Sequence, residues 1–202
     1  MLTARSAGRV SNRVITVARL AIEDSYKGVD NLIQAWPQVI NAVPDAELRI
    51  VGDGNGRQAL EGLSHGAGVS SSIRFLGRLS DGELLTEYER ASVFALPGRT
   101  LPHGTSGEGY GIVFLEAAAA GLPCVAGAAA GAVDAVVDGE TGFHVDPYDF
   151  RHIAGTIVLL LRDQPLREQM GLAGVKRVLR EHTDANFFMA LDSIIGRDIR
   201  VG

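Results

Sequence analysis

Short apolar runs alternate with longer stretches of helical period along the whole chain. Apolar side chains dominate six runs, at residues 14–18, 47–51, 73–76, 92–96, 123–126 and 143–145. After the first run, apolar residues recur on one helix face at Val29, Leu32, Ile33, Trp36, Val39, Ile40 and Val43. Short buried runs separated by helices are typical of a parallel sheet with crossover connections.

Further helical stretches are predicted between and after the other runs. They cover residues 58–64, 81–91, 112–120, 132–137, 149–162, 166–181 and 184–195. Ser80 and Glu83 have the spacing of a capping box, and Gly121 with Pro123 ends the helix that begins at Ile112. The pattern predicts an α/β fold, a Rossmann-like doubly wound parallel sheet of about six strands. Ligands bind such sheets at the carboxyl ends of the strands, where the strand order reverses.

Length and composition indicate one domain. The chain has 202 residues, of which 46% are hydrophobic and 21% charged, as in an ordinary soluble globular protein. We assign residues 1–12 to a linker remnant, 13–182 to the domain, and 183–202 to a C-terminal crossover helix and tail. The Arg-rich start also has the composition of a transit peptide, but it lacks an amphipathic stripe and leads directly into a strand.

Charge and cysteine content exclude several classes of function. A net charge of −5 provides no global basic field for nucleic acid or anionic lipid. No apolar run has transmembrane length and no signal-peptide core is present, so we expect a cytoplasmic protein without an integral membrane segment. Cys124 is the only cysteine, which excludes an internal disulfide. Its apolar surroundings favour a buried thiol over a nucleophile.

Residues suited to a diphosphate follow several predicted strands. Arg19 and Lys27 come after the first strand, glycines crowd residues 52–56 after the second, and residues 107–111 lead directly into a helix. A helix N-terminus offers free N–H groups and partial positive charge, and glycines let a ligand approach closely. Each signal alone is weak, because a basic residue after a strand is commonly a solvated charge. Residues 52–56 also lack the GxGxxG pattern, because Arg57 occupies the last position.

Glu116 interrupts an apolar helix between Leu115 and four consecutive alanines. A carboxylate buried in such a place needs hydrogen-bond donors, and two sugar hydroxyls would supply them. Alternatively, Glu116 pairs with a nearby arginine or lies on the solvent face. The residues alone leave these interpretations open.

Residues 108–117, followed by 120–123, resemble the signature of the retaining GT-B glycosyltransferases of family 4, the glycosyl transferases group 1. In that family two glutamates, here Glu108 and Glu116, are separated by seven residues in an EGFG…EAMAAGxPV context. Further matches run in order along the chain. The family's GRL…KG, LxIVGxG, FLG, GGxPE and DGxTG motifs correspond to residues 19–28, 48–54, 75–77, 130–134 and 138–142. The resemblance covers residues 14 to about 182.

The resemblance implies that the chain is the C-terminal, donor-binding half of a GT-B fold. Arg19 and Lys27 would then bind the diphosphate of a nucleotide-sugar donor and stabilise the leaving group. Glu108 would hold hydroxyls of the transferred hexose, and Glu116 the ribose hydroxyls. The remaining donor-binding residues would be Gly52, Gly54, Gly77, Arg78, Gly109, Tyr110 and Gly111.

No cofactor is expected beyond the donor substrate. As the glycosidic bond breaks, negative charge builds on the diphosphate, and fixed cations with a helix N-terminus stabilise it. No DxD-like cluster stands in a plausible metal-binding loop, so we expect a metal-independent enzyme.

The sequence departs from the family in several places. Ala18 replaces a glycine, and Ala130, Val133 and Asp134 alter the GGxPE loop. Residues 98–107 form a longer spacer than usual, in which His103 either contacts the sugar or acceptor or has no role. The family's N-terminal domain is the expected partner, supplied by a longer chain or a separate subunit.

Two other functions remain open from the sequence. A non-catalytic nucleotide-sugar-binding or regulatory module would be expected to lack Arg19, Lys27 or the glutamates, and all are present. A hydrolase is disfavoured because residues 103–107 are not a GxSxG nucleophile elbow. A glycosidase needs its carboxyl groups about 5 to 9 Å apart. Eight residues of helix, at about 1.5 Å each, separate Glu108 and Glu116 by more than that.

Overall fold

The computed structural model describes residues 9–100, 111–128 and 132–181. These residues contain one sheet of six strands: β1 (Arg13–Val17), β2 (Glu47–Val51), β3 (Ile73–Gly77), β4 (Val93–Leu96), β5 (Cys124–Gly127) and β6 (Gly142–Val145). Every neighbouring pair is parallel, in the order β3-β2-β1-β4-β5-β6. The predicted doubly wound α/β sheet is therefore confirmed.

Seven α-helices lie in the described part of the chain: α1 (Val29–Ala42), α2 (Arg57–Gly66), α3 (Asp81–Arg90), α4 (Ile112–Ala119), α5 (Ala132–Ala135), α6 (Phe150–Arg162) and α7 (Gln164–Glu181). Each was predicted to within one or two residues at either end. Two short 3-10 helices, Ile22–Lys27 and Ser70–Ser72, were not predicted. The helix predicted at 184–195 lies outside the described residues.

The core lies on both faces of the two central strands. Right-handed crossovers place α1 and α4 on opposite faces; α6 packs against α1, and α7 packs against α4. Phe94 of β4 meets Phe114 of α4 edge to face, with ring centroids 5.3 Å apart. Glycine allows α7 to approach α4 closely, because a Cβ at Gly171 would lie 2.2 Å from the Gly121 carbonyl oxygen.

The predicted capping box forms at the start of α3. The backbone N–H and the hydroxyl of Ser80 both donate to Glu83 Oε2, at 2.8 and 2.7 Å. Farther along α3, Glu87 faces Arg13 at 4.0 Å and Arg49 at 3.5 Å, and both arginines also pair with Glu47. These half-buried ion pairs fix α3 against β1 and β2.

A small cavity lies at the amino edge of the sheet, lined by Arg9, Arg167 and Glu168 among others. Arg9 donates to the carbonyls of Ala120 and Gly121 at 2.7 and 2.9 Å, so the last residues of the predicted linker contact the domain. Burial and the charge of Arg167 lower the pKa of Arg9 to about 10. The Arg9 guanidinium therefore already donates to backbone carbonyls at the end of α4. The cavity gives no indication of an anion-binding site.

Among the described helices, none combines the length and apolar character required to cross a bilayer. The domain boundaries predicted at residues 12 and 182 stay predictions.

Candidate functional site

The strand order reverses between β1 and β4, which are adjacent in the sheet. From β1 the chain crosses to β2 on one side, and from β4 it crosses to β5 on the other. A crevice therefore opens between the loops that follow these two strands. Arg19 and Lys27 follow β1, whereas Gly111 and Glu116 follow β4. The fold thus places the loops that carry the two predicted halves of the site on either side of the switch point, at one edge of the sheet.

Close backbone contacts join these two loops. A Cβ on Gly28, whose φ is +76°, would lie 2.0 Å from the Pro97 carbonyl oxygen, so only glycine fits. The Arg99 N–H donates to the Tyr26 carbonyl at 2.7 Å. The Arg99 guanidinium also donates two hydrogen bonds of 2.9 Å to the Asp30 carboxylate. The Arg99–Asp30 pair, which was not predicted, ties the start of the loop after β4 to α1.

Arg19 lies at the mouth of this crevice with its side chain 65% exposed. Its Nη2 donates to Asp24 Oδ1 at 2.9 Å, and its Nε donates to Asp24 Oδ2. This side-on fork uses one edge of the guanidinium, and the N–H groups of the opposite edge point away from Asp24. The buried Asp24 carboxylate thereby orients a cation that would otherwise be a mobile surface side chain.

Lys27, the last residue of the 3-10 helix Ile22–Lys27, interacts electrostatically with the same Asp24 carboxylate. The hydrogen bond from Arg19, with the charges of Arg19 and Lys27, holds the pKa of Asp24 below its ordinary value. This effect outweighs burial, which acts in the opposite direction. The Lys27 ammonium also lies 5.9 Å from the centre of the Tyr26 ring. The two predicted diphosphate-binding cations thus share one acidic neighbour.

Gly52 and Gly54 have a structural reason to be glycine. A Cβ on Gly52, whose φ is +122°, would lie 1.9 Å from the Ala18 carbonyl oxygen. A Cβ on Gly54 would lie 2.4 Å from the Leu20 carbonyl oxygen. The loop after β2 therefore packs directly on the loop that carries Arg19. Whether these glycines also line the donor site stays a prediction.

Gly77 and Arg78 lie at the end of β3, on the outer side of the β2 loop. The Gly77 carbonyl accepts the Gly52 N–H at 2.8 Å, and its φ is +71°. Arg78 is exposed. Their predicted place around the nucleotide base is untested.

Glu116 occupies the second turn of α4, which begins after Gly111 in a left-handed conformation with φ +67°. Its Oε2 accepts a hydrogen bond from the Tyr88 hydroxyl at 3.0 Å. Burial raises the pKa of Glu116, the bond from Tyr88 opposes that rise, and the charge of Asp81 adds to it. The described hydrogen-bond partner of Glu116 is thus a tyrosine rather than the arginine that one alternative named, and the residue is half-buried rather than fully exposed.

Part of the predicted site lies outside the described residues: His103, Glu108, Gly109, Tyr110 and the first two residues, 130 and 131, of the GGxPE-like segment. The distance between the two glutamates therefore stays untested. Within the described ranges, no three His, Cys, Asp or Glu residues are grouped as metal ligands; metal independence stays a prediction. Burial raises the pKa of Cys124 far above its ordinary value, which disfavours the thiolate that a nucleophile needs.

A family model described as glycosyl transferases group 1 matches residues 8–177. The chain belongs to this family. A GDP-mannose-dependent monoacylated alpha-(1-6)-phosphatidylinositol monomannoside mannosyltransferase of Corynebacterium glutamicum is 41% identical over 161 residues, or 80% of this chain and 40% of that protein. A GDP-mannose-dependent alpha-(1-6)-phosphatidylinositol monomannoside mannosyltransferase of Mycobacterium tuberculosis is 40% identical over 161 residues, or 80% of this chain and 41% of that protein. The chain spans about two fifths of the length of these group 1 relatives.

Solved structures share the fold of this group 1 domain. A sucrose-phosphate synthase from Thermosynechococcus elongatus is 29% identical, with a TM-score of 0.71 over 84% of this chain and 41% of that one. The C-terminal domain of a glycosyl transferase group 1 family protein from Francisella tularensis is 23% identical, with a TM-score of 0.70. That match covers 89% of this chain and 90% of that domain. The GT-B half expected from the sequence is thus the fold observed.

Proposed function

We propose that this domain binds the nucleotide-sugar donor of a glycosyltransferase and that the donor is GDP-mannose. The observation that carries the proposal is the convergence at the strand switch point of Arg19, oriented by Asp24, with Lys27 and the start of α4. The names of relatives about 40% identical support GDP-mannose as the donor. Transfer of the hexose to an acceptor would require the second domain of a GT-B enzyme.

The charges in this crevice suit departure of a diphosphate. When the bond between sugar and diphosphate breaks, negative charge increases on the β-phosphate. Arg19 would meet that charge with the N–H groups that Asp24 leaves unused, and Lys27 would add a point charge. Cations held in place before the reaction need no reorganisation as charge develops. We therefore propose metal-independent transfer, with retention of configuration as in the family that the sequence resembles.

The two glutamates would hold different parts of the elongated donor. Glu116, on the second turn of α4, would accept from the ribose hydroxyls, and Glu108 from hydroxyls of the mannose. The glycines around residue 110 would bring backbone N–H groups to the diphosphate. Under this assignment GDP would contact Glu116 but not Glu108, whereas GDP-mannose would contact both glutamates.

This division predicts how two variants differ in calorimetry. Glu116→Ala should weaken GDP and GDP-mannose equally, by about tenfold, since ribose is common to both. Glu108→Ala should weaken GDP-mannose alone, by a similar factor, because GDP lacks the sugar. Equal losses for both ligands in both variants would contradict the division. Failure of the unmodified chain to bind GDP, UDP or ADP at millimolar concentration would refute the proposed function itself.

A further inference from the structure

Tyr88 is a buried residue for which the proposed function has no use so far. It lies on α3, its side chain is fully buried, and its ring is 6.2 Å from that of Phe94. A buried tyrosine ordinarily directs its hydroxyl to a partner. Here the partner is a glutamate on another helix, 28 residues away in the chain.

We propose that Tyr88 is a positioning residue, whose hydroxyl holds Glu116 Oε2 and thereby presents Oε1 to the ribose hydroxyls of the donor. The proposal rests on the proposed function, because it requires Glu116 to bind ribose. Tyr88 would orient this carboxylate and favour its ionised form.

The geometry restricts Glu116 strongly. The hydrogen bond of 3.0 Å connects two helices, and α3 is itself fixed to the sheet by the ion pairs of Glu87, the residue before Tyr88. With Oε2 engaged, the rotation of the Glu116 side chain is restricted before any ligand arrives. A ligand hydroxyl then meets an oxygen already in place, which lowers the entropic cost of binding.

Electrostatics gives Tyr88 a second effect on the same carboxylate. Burial and the neighbouring Glu116 carboxylate raise the pKa of Tyr88 well above its ordinary value, so the phenol stays protonated and remains a donor. The ionisable groups that act on Glu116 among the described residues are Tyr88 and Asp81, both on α3. Arg9 binds the carbonyl of Ala120 at the far end of α4. Of these groups, Tyr88 is the one that favours the ionised carboxylate by a direct hydrogen bond.

The sign of the pH dependence follows from these effects. An ionised Glu116 accepts hydrogen bonds from two hydroxyls better than a protonated one does. The pKa of Glu116 is raised in the folded chain. As the pH falls, ribose binding should therefore begin to weaken at a higher pH than it would if the carboxyl had the pKa of an ordinary glutamate. Removing the Tyr88 hydroxyl raises that pKa further. The acid limb of the curve of ribose binding against pH, where binding is lost as Glu116 is protonated, should therefore move to still higher pH in Tyr88→Phe.

Calorimetry with GDP and 2′,3′-dideoxy-GDP from pH 5 to 8 tests the proposal. The ratio of the two affinities isolates the ribose contact, because titration of the phosphates affects both ligands alike. We expect Tyr88→Phe to reduce this ratio by about five- to tenfold at neutral pH and to shift its acid limb upward. Phe keeps the ring packed near Phe94, and the melting temperature checks the fold. Tyr148→Phe removes an exposed hydroxyl and should leave the ratio unchanged.

The outcomes distinguish the positioning role of Tyr88 from the ribose-binding role of Glu116. If the unmodified chain favours GDP over the dideoxy ligand, but Tyr88→Phe changes neither the ratio nor its acid limb, then the positioning role is wrong and the ribose assignment stands. If the unmodified chain binds both ligands equally, or Glu116→Gln retains the acid limb, then Glu116 does not hold ribose. Either of those results overturns both statements.

Discussion

Arg19→Ala should reduce the affinity of the domain for GDP by about 10- to 100-fold. This range corresponds to the loss of a charge-assisted hydrogen-bonding group, worth about 1.5 to 3 kcal/mol. The reason is geometric as much as electrostatic. Asp24 holds one edge of the Arg19 guanidinium. Under the proposed function, the N–H groups of the other edge would bind the β-phosphate. Calorimetric titration with GDP at constant ionic strength measures the effect.

Two controls make the Arg19 result specific. Arg74→Ala removes the same charge from an exposed position on β3, outside the loops of the crevice, and should change the GDP affinity by less than about twofold. Because Arg19→Ala also leaves Asp24 buried without its hydrogen-bonded cation, the double variant Arg19→Ala with Asp24→Asn should show the same loss in a chain of restored stability. Full GDP affinity in either Arg19 variant would show that this guanidinium does not bind the diphosphate.

Gly52→Ala should destabilise the domain by about 3 kcal/mol or more. Two penalties act together, since an alanine disfavours a φ of +122° and its Cβ would lie 1.9 Å from the Ala18 carbonyl oxygen. Relief of the contact requires the loop after β1 to move, and that loop carries Arg19. The variant should therefore also lose GDP affinity. Urea unfolding followed by circular dichroism measures the change in free energy of unfolding.

Gly155→Ala is the matched control for this substitution. Gly155 lies within α6, and a Cβ there would meet nothing within 4 Å. Alanine has the higher helix propensity, so this variant should gain about 0.5 to 1 kcal/mol. Equal stability of the Gly52 and Gly155 variants would mean that the two loops do not pack as described.

The fold could be predicted because local patterns and tertiary structure agree throughout it. All six strands are short apolar runs closed by a glycine, a proline or a polar loop, and the helix faces follow the 3.6-residue period. Parallel strands then place their carboxyl ends at one edge. This argument alone located the loops at Arg19 and Gly111. The roles of single residues in those loops came from resemblance to a family.

The side-chain contacts of the site could not be predicted, since they join residues that no periodic pattern connects. Tyr88 and Glu116 lie on different helices, and only the packing of both on the sheet brings them together. Asp24 lies in a 3-10 helix too short to leave a hydrophobic period. The reason for glycine at position 52 could not be read from the sequence either. A glycine that lets a ligand approach and one that lets a neighbouring backbone approach look identical there.

The most direct test of the proposed donor site is a map of where GDP binds. Titration of the uniformly ¹⁵N-labelled domain with GDP should shift the backbone amide signals of Arg19, Gly28, Gly111 and their neighbours in the crevice. The amides of Ser92 and Glu168, at the amino-edge cavity, should stay unchanged. Saturable shifts confined to the amino edge, or none at millimolar GDP, would contradict a nucleotide site at the switch point between β1 and β4.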